Sequence, residues 1–328
     1  MSLFAILCAL LIEQARPLPN HNPVHGGVRS WAGWISRNLD AGKPHHGGLA
    51  WAVGVGLPAA AAVAIHWGLE DAFGWPIAML WDIAVLYVTL GFRQFSQHFT
   101  GIRDALDRGD EPSARERLAR WQQVDASDLP RAELLRHVIE YSVLTAHRQV
   151  FGVLAWYVVL ASLGLGPAGA VLYRISEFVM RYWRHRGSAD GEAASAALQK
   201  VANDCWHAID WLPARLTAIS FAVVGSFEEA IDGWRQYARQ FPDDNDGVIL
   251  AATAGAINVR LGGQALKAAF ASSASQALET DASRQTSTPT PGREPDLAHL
   301  RSIVNLVWRS VVMWMVLLAL LTLARLLG

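Results

Sequence analysis

The run Ile303–Leu327, IVNLVWRSVVMWMVLLALLTLARLL, restricts the fold more than any other part of the chain. A helix needs about 20 apolar residues to cross the hydrocarbon core, because no water is present there to satisfy an open backbone. Arg309 and Arg325 lie toward the two ends of the run, where their stems can snorkel to the headgroups. Composition agrees: 52% of the 328 residues are apolar and 17% charged, against roughly 25% charged in an ordinary globular chain. A net charge of −1 gives no global reason to seek nucleic acid. The two cysteines, Cys8 and Cys205, form no metal-binding spacing.

Further apolar segments follow the same logic. Spans are expected near residues 2–13, 50–69 and 76–92, the last with Asp82 inside it. An apolar pair fills residues 150–183, divided by Gly164-Leu165-Gly166-Pro167, a run that breaks helices. The first segment lacks the basic start and small-residue cleavage site of a signal peptide, so it reads as a retained, short membrane helix. With the C-terminal run, this predicts an all-α, polytopic integral membrane protein of about five to six spans. The link Gly68–Trp75 has Glu70 and Asp71 but no Lys or Arg. Arginines collect on both sides of it, including Arg29 and Arg37 before and Arg103, Arg108 and Arg115 after. Positive charge favours the cytoplasm, so residues 93–149 and 184–271 are expected there, in a bacterial inner membrane.

Residues 93–149 read as helices with one buried side, broken at Pro112 and Pro130. Residues 272–297, rich in Ser, Thr and Pro, read as a flexible tether. Apolar stretches 212–227 and 248–261 are short and are not counted as spans.

Two motifs carry chemistry. In Trp211-Leu212-Pro213-Ala214-Arg215-Leu216-Thr217, a proline in a first helical turn would leave free N–H donors for an anion, and Arg215 would add a two-pronged grip. An arginine snorkelling beside an interfacial tryptophan explains the same residues. In the stretch from Asn245-Asp246-Gly247 to Val259-Arg260-Leu261-Gly262-Gly263, Gly247 could permit a turn, and Gly262 and Gly263 could end a helix and open backbone N–H groups to a ligand. A capped amphipathic helix is the competing account. Arg148 and Arg174 are placed at the cytoplasmic ends of the two central spans, where charge costs least. Asp82 is either a partner-bonded polar group or a functional acid. Glu13 closes the first helix, where the helix dipole disfavours an acid, so it needs another reason to be present.

Taken in order, these segments resemble the CobD/CbiB family of cobalamin biosynthesis, the adenosylcobinamide-phosphate synthases. Glu13 followed by Asn22-Pro23-Val24 resembles the family's opening acid and HPV-like motif. Ala146-His147-Arg148 with Gly152-Val153-Leu154 resembles its central motif, and Gly166-Pro167 through Tyr173-Arg174 its next helix. Trp211–Thr217 is close to WxPARLT, and Ala254-Gly255-Ala256 with Val259–Gly263 is similar to AGALGxRLGG. The resemblance implies an ATP-dependent, amide-forming ligase, with magnesium, that joins aminopropanol or its phosphate to a carboxylate of a corrinoid. It implies Glu13 as the catalytic acid and Arg148, Arg174, Arg215, Asn245, Arg260, Gly262 and Gly263 as substrate- or phosphate-binding positions, with His147 and Asp210 as further candidates. Convergence of the arginines and Asn245 in one cytoplasm-facing pocket, around an anionic or corrinoid ligand, is the expected geometry.

The chain departs from that pattern where the family has acids. Phe151 and Met180 each replace one, and Trp206-His207 replaces a pair. Such losses are expected to abolish or change a magnesium-dependent reaction. They also make the chain similar to the AmpE-like membrane proteins, whose LDWVPVRL-like segment Ile209–Leu216 resembles, and this implies a non-catalytic regulator or sensor as the alternative.

Overall fold

A computed structural model describes residues 2–16, 23–122, 125–127, 129–186, 194–264 and 287–327. Asn22 and the first part of the expected tether, residues 272–286, lie outside them. Among the described residues the secondary structure is helical, apart from a single parallel bridge between Val259 and Arg293. The protein is an all-α membrane protein. Three helical stretches are long and apolar enough to cross a bilayer, Pro44–Phe73, Arg131–Ser162 and Leu297–Ala324, and Leu3–Ala15 and Trp75–Thr89 are shorter apolar helices.

The chain divides into two compact units, residues 1–92 with 148–213, and residues 93–147 with 214–328. In the first, α1 (Ser2–Ala15) packs on α5 (Trp75–Thr89), and α4 (Leu57–Phe73) packs on α5 and on α10 (Ala168–Arg186). The helices α2 (Pro23–Leu39) and α3 (Pro44–Trp51) join this group, and α9 (Gly152–Ser162) forms the hairpin with α10. Leu163–Pro167 makes the turn, as the Gly-Pro run predicts. Trp183, fully buried among Ala32, Ile35, Val55 and Leu198, donates its indole N–H to Ala32 O at 3.1 Å. Asp82 is a partner-bonded group. Its Oδ1 is 2.8 Å from His66 Nδ1, and Tyr157 Oη donates to its Oδ2 at 3.2 Å. A carboxylate that cannot reach water within apolar helices is retained by such partners.

The second unit holds α6 (Phe92–Asp107), α7 (Glu111–Gln122), α8 (Arg131–Ala146), α12 (Phe227–Tyr237), α13 (Asp244–Ile257) and α14 (Leu297–Leu327). The prolines open α7 and α8, where no helical N–H is lost. Apolar Leu134, Leu135, Val138 and Ile139 of α8 are buried, and α8 packs on α7, α13 and α14.

Five expectations are corrected. Pro213 does not begin a helix. It lies inside α11 (Ala196–Val224), so no free N-terminal donors stand beside Arg215. Gly247 makes no turn, for it is inside α13 and a Cβ there would overlap Ala238 O. The helix ends at Ile257 rather than at Gly262-Gly263, because Asn258 adopts the left-handed conformation (φ 52°, ψ 52°) and its N–H caps Ala254 O and Gly255 O. Arg174 is the seventh residue of α10, in its second turn, and not at the end that carries Arg184. The end of the expected tether is also ordered: Thr290 is 2% exposed and exchanges backbone and side-chain bonds with Leu261.

Candidate functional site

The helix through residues 131–162 carries a π-helical turn at His147–Phe151, so one extra residue is accommodated just where the central motif lies. Gly152 follows. A Cβ at that position would overlap the ring of Tyr173, so only glycine lets α10 bring that ring in. Tyr173 is fully buried, packs on Trp206 with centroids 5.1 Å apart, and donates its hydroxyl to Asp210 Oδ1 at 2.7 Å.

One helical turn after Tyr173 stands Glu177, 2% exposed. Its two carboxylate oxygens are bound by different arginines, Oε2 by Arg174 Nη1 at 2.6 Å and Oε1 by Arg181 Nη2 at 2.9 Å. Arg148 lies close enough for its charge to act on both Glu177 and Tyr173. Arg148, Arg174 and Arg181 set against Glu177 and Asp210 leave the group net positive. Guanidiniums that reach the surface, Arg174 partly and Arg181 largely, while a buried carboxylate holds them, form a preorganised receptor for phosphate or carboxylate oxygens. Of the four positions at which the resemblance implies acids, three are apolar and buried, Phe151 fully, Met180 at 6% and Trp206 at 2% exposure, and the fourth, His207, is partly exposed. Glu13 is buried in α1, at 2% exposure.

In the second unit Arg215 Nη1 donates to Asn245 Oδ1, which joins the two specific motifs directly. Asn245 is 3% exposed, and its N–H is fixed by Asp243, the N-cap of α13. Two residues beyond Arg215, Thr217 Oγ1 lies 2.9 Å from His147 Nδ1, both fully buried. Arg260, by contrast, is exposed and does not join the Arg215–Asn245 pair; its backbone N–H bonds Arg293 O at 2.8 Å.

Gly262 and Gly263 have φ of 85° and 126°, the backbone that glycine alone adopts freely. Their N–H groups have partners within the protein. Glu140 Oε1 accepts from Gly262 at 2.7 Å, and Ser287 Oγ accepts from Gly263 at 2.9 Å. Arg136, 4% exposed, holds Glu140 through Nη1 at 3.0 and 3.1 Å and donates to Gln264 O at 2.7 Å. Sequence reasoning missed this network, although Glu133, Arg136, His137 and Glu140 stand at the i, i+3, i+4, i+7 spacing that puts them on one helix face. A cavity of about 320 Å³ adjoins it, lined in part by Arg136, Glu140, Asp243, Asp246 and Gly263.

Among the described residues no group of three or more His, Cys, Asp or Glu could hold a metal ion. A closed protein cage for magnesium is therefore not formed by them. Magnesium that arrives on nucleotide phosphates needs only one or two carboxylates, and the arginine forks suit the phosphates themselves.

The profile of the family described as CobD/Cbib protein matches residues 3–290. The cobalamin biosynthesis protein CobD of Stutzerimonas stutzeri is 31% identical over 275 residues, 83% of this chain and 81% of the relative. That of Chromobacterium violaceum is 34% identical over 218 residues, 64% and 66% of the two chains. That of Mycobacterium tuberculosis is 31% identical over 253 residues, 74% and 76%. No solved structure matches the chain. The AmpE-like alternative draws no support from these matches. A profile that runs from the first helix through both specific motifs, with relatives above 30% identity over most of their length, places the chain in the CobD/CbiB family.

Proposed function

We propose that this chain acts in cobalamin biosynthesis by joining aminopropanol, or its phosphate, to a carboxylate side chain of adenosylcobyric acid through an amide bond. The relatives named as cobalamin biosynthesis proteins support the pathway. The observation that carries the reading is the group in which buried Glu177, Asp210 and Tyr173 stand with the more exposed Arg148, Arg174 and Arg181, a net-positive receptor with Arg174 and Arg181 already held by Glu177. A carboxylate does not condense with an amine at neutral pH unless its oxygen becomes a leaving group, and ATP supplies that activation as a co-substrate. The arginines would hold phosphate oxygens and stabilise the charge that develops on them. Arg215 with Asn245 offers a second set of donors, and Glu13 a buried acid.

The bilayer is the inner membrane of a bacterium in this reading, with the arginine-rich segments on the cytoplasmic side, where ATP is found. A second reading, a corrinoid-binding relative that no longer catalyses, is favoured by one observation: Phe151, Met180 and Trp206 are buried apolar side chains at positions where the resemblance implies acids.

Expression in a bacterium that lacks the synthase, grown with cobyric acid as the sole corrinoid source, tests the first reading. Restored growth is expected. No growth at normal membrane expression, with corrinoid binding by the purified protein intact, would establish the second reading instead.

A further inference from the structure

Within the first unit, α2, α4, α5 and α10 enclose a groove of about 480 Å³, well inside the range of about 300–1,000 Å³ typical of ligand sites. Its walls are almost entirely hydrocarbon, among them Val28, Pro58, Ile65, Trp81 and Val85. Polar groups are confined to His25, Thr89 and Arg174. Thr89 is the last residue of α5, after which Leu90 turns extended. At 1.5 Å per residue the 15 residues of α5 cover roughly 22 Å, less than the ~30 Å hydrocarbon core. A bilayer meets such a short helix by thinning, so the end of α5 is where headgroups come to lie.

The rim is apolar as well. Val24 is 45% exposed, Ile65 43% and Leu57, close by on α4, 55%. Large aliphatic side chains exposed on helices of this composition face lipid. The groove thus opens through an apolar rim and ends at a guanidinium. Glu177 engages one arm of Arg174, and a guanidinium has five N–H donors.

We propose that this groove binds one anionic phospholipid, with an acyl chain along Ile65 and Trp81 and its phosphate held by Arg174 beside His25. The occupant follows from charge and surroundings: an apolar tail fits the walls, and a phosphate complements the net-positive group to which Arg174 belongs. The site shares Arg174 with the group proposed above to receive phosphate, but its detection needs no corrinoid and no turnover.

Native mass spectrometry of the purified full-length protein in detergent, titrated with phosphatidylglycerol or phosphatidylcholine, tests it. One phosphatidylglycerol is expected to bind at least about tenfold more tightly than phosphatidylcholine, which carries the same phosphate but adds a quaternary ammonium that the net-positive group repels. Ala61 and Ala84 line the groove at exposed positions, so Ala61→Trp and Ala84→Trp fill it without crowding the core. Each is expected to weaken phosphatidylglycerol by about tenfold, as is Arg174→Gln. Equal binding of the two lipids, unchanged binding by both tryptophan variants, or displacement of the lipid by glycerol phosphate as readily as by phosphatidylglycerol would each overturn the proposal.

Discussion

The indole N–H of Trp156 donates to the backbone carbonyl of Ile209 at 2.9 Å. That carbonyl lies four residues before Pro213, so it is the acceptor whose helical donor proline lacks. A proline in the middle of a 29-residue helix is tolerated because a tryptophan on α9 supplies the missing hydrogen bond. The proline of the Trp211–Thr217 motif is thus built into the packing of the first unit.

This relationship makes a thermodynamic prediction. Trp156→Phe leaves a part-buried carbonyl without its donor, a loss of about 1 kcal/mol or more. Pro213→Ala returns an N–H to position 213, so in that background Trp156→Phe is expected to cost less. Unfolding of the four proteins in detergent, followed by circular dichroism, gives the coupling. Two costs that add to within about 0.5 kcal/mol would show that the indole does not substitute for the helical donor.

The helices were legible in the sequence because hydrophobicity over a long window sets them, and the breaks at Gly164–Pro167, Pro112 and Pro130 fell where the chain turns. Pro213 was not legible. Proline usually marks a helix start, and only a donor distant in sequence, at position 156, reverses that preference. The C-terminal part of the expected tether was missed for a similar reason: Thr290 gains its order from Leu261, and composition carries no information on a pairing 29 residues apart.

At the site, the sequence identified residue types better than partners. Arg215 and Asn245 lie in two separate motifs that were expected to converge, and the structure joins them. Arg260 was grouped with them on the strength of its motif, yet it is exposed, because Val259 and Leu261 on either side of it take the buried positions. Glu140 was not read as a site residue at all. One carboxylate on an amphipathic helix looks like solvated surface until the loop that contains Gly262 closes over it.

The Arg136–Glu140 pair makes the second prediction. Their side chains are 5% and 16% exposed, and together they fix Gly262 and Gln264. Arg136→Leu leaves Glu140 charged in a poorly solvated position, a loss of about 3–5 kcal/mol for a buried pair broken from one side. The double variant Arg136→Leu/Glu140→Leu removes both charges and is expected to recover part of that stability. Thermal unfolding in detergent checks both. A double variant less stable than Arg136→Leu by the full cost of a second break would show that the two residues act independently.

Arg148 makes the last prediction, one that concerns function. Its charge is felt by Glu177 and Tyr173, while Glu177 is already bound at both oxygens by Arg174 and Arg181. Arg148 therefore adds positive charge to the group beyond what ties Glu177 down. If the group receives phosphate, Arg148→Lys keeps the charge but loses the two-pronged geometry, and affinity for inorganic pyrophosphate is expected to fall about tenfold. Arg148→Gln loses both and is expected to fall further. Calorimetric titration of the purified protein, repeated at higher ionic strength, separates the two effects, since screening weakens a bare point charge more than a desolvated fork. Pyrophosphate affinity that is the same in all three proteins would remove Arg148 from the anion site, and with it the main support for phosphate chemistry in the first unit.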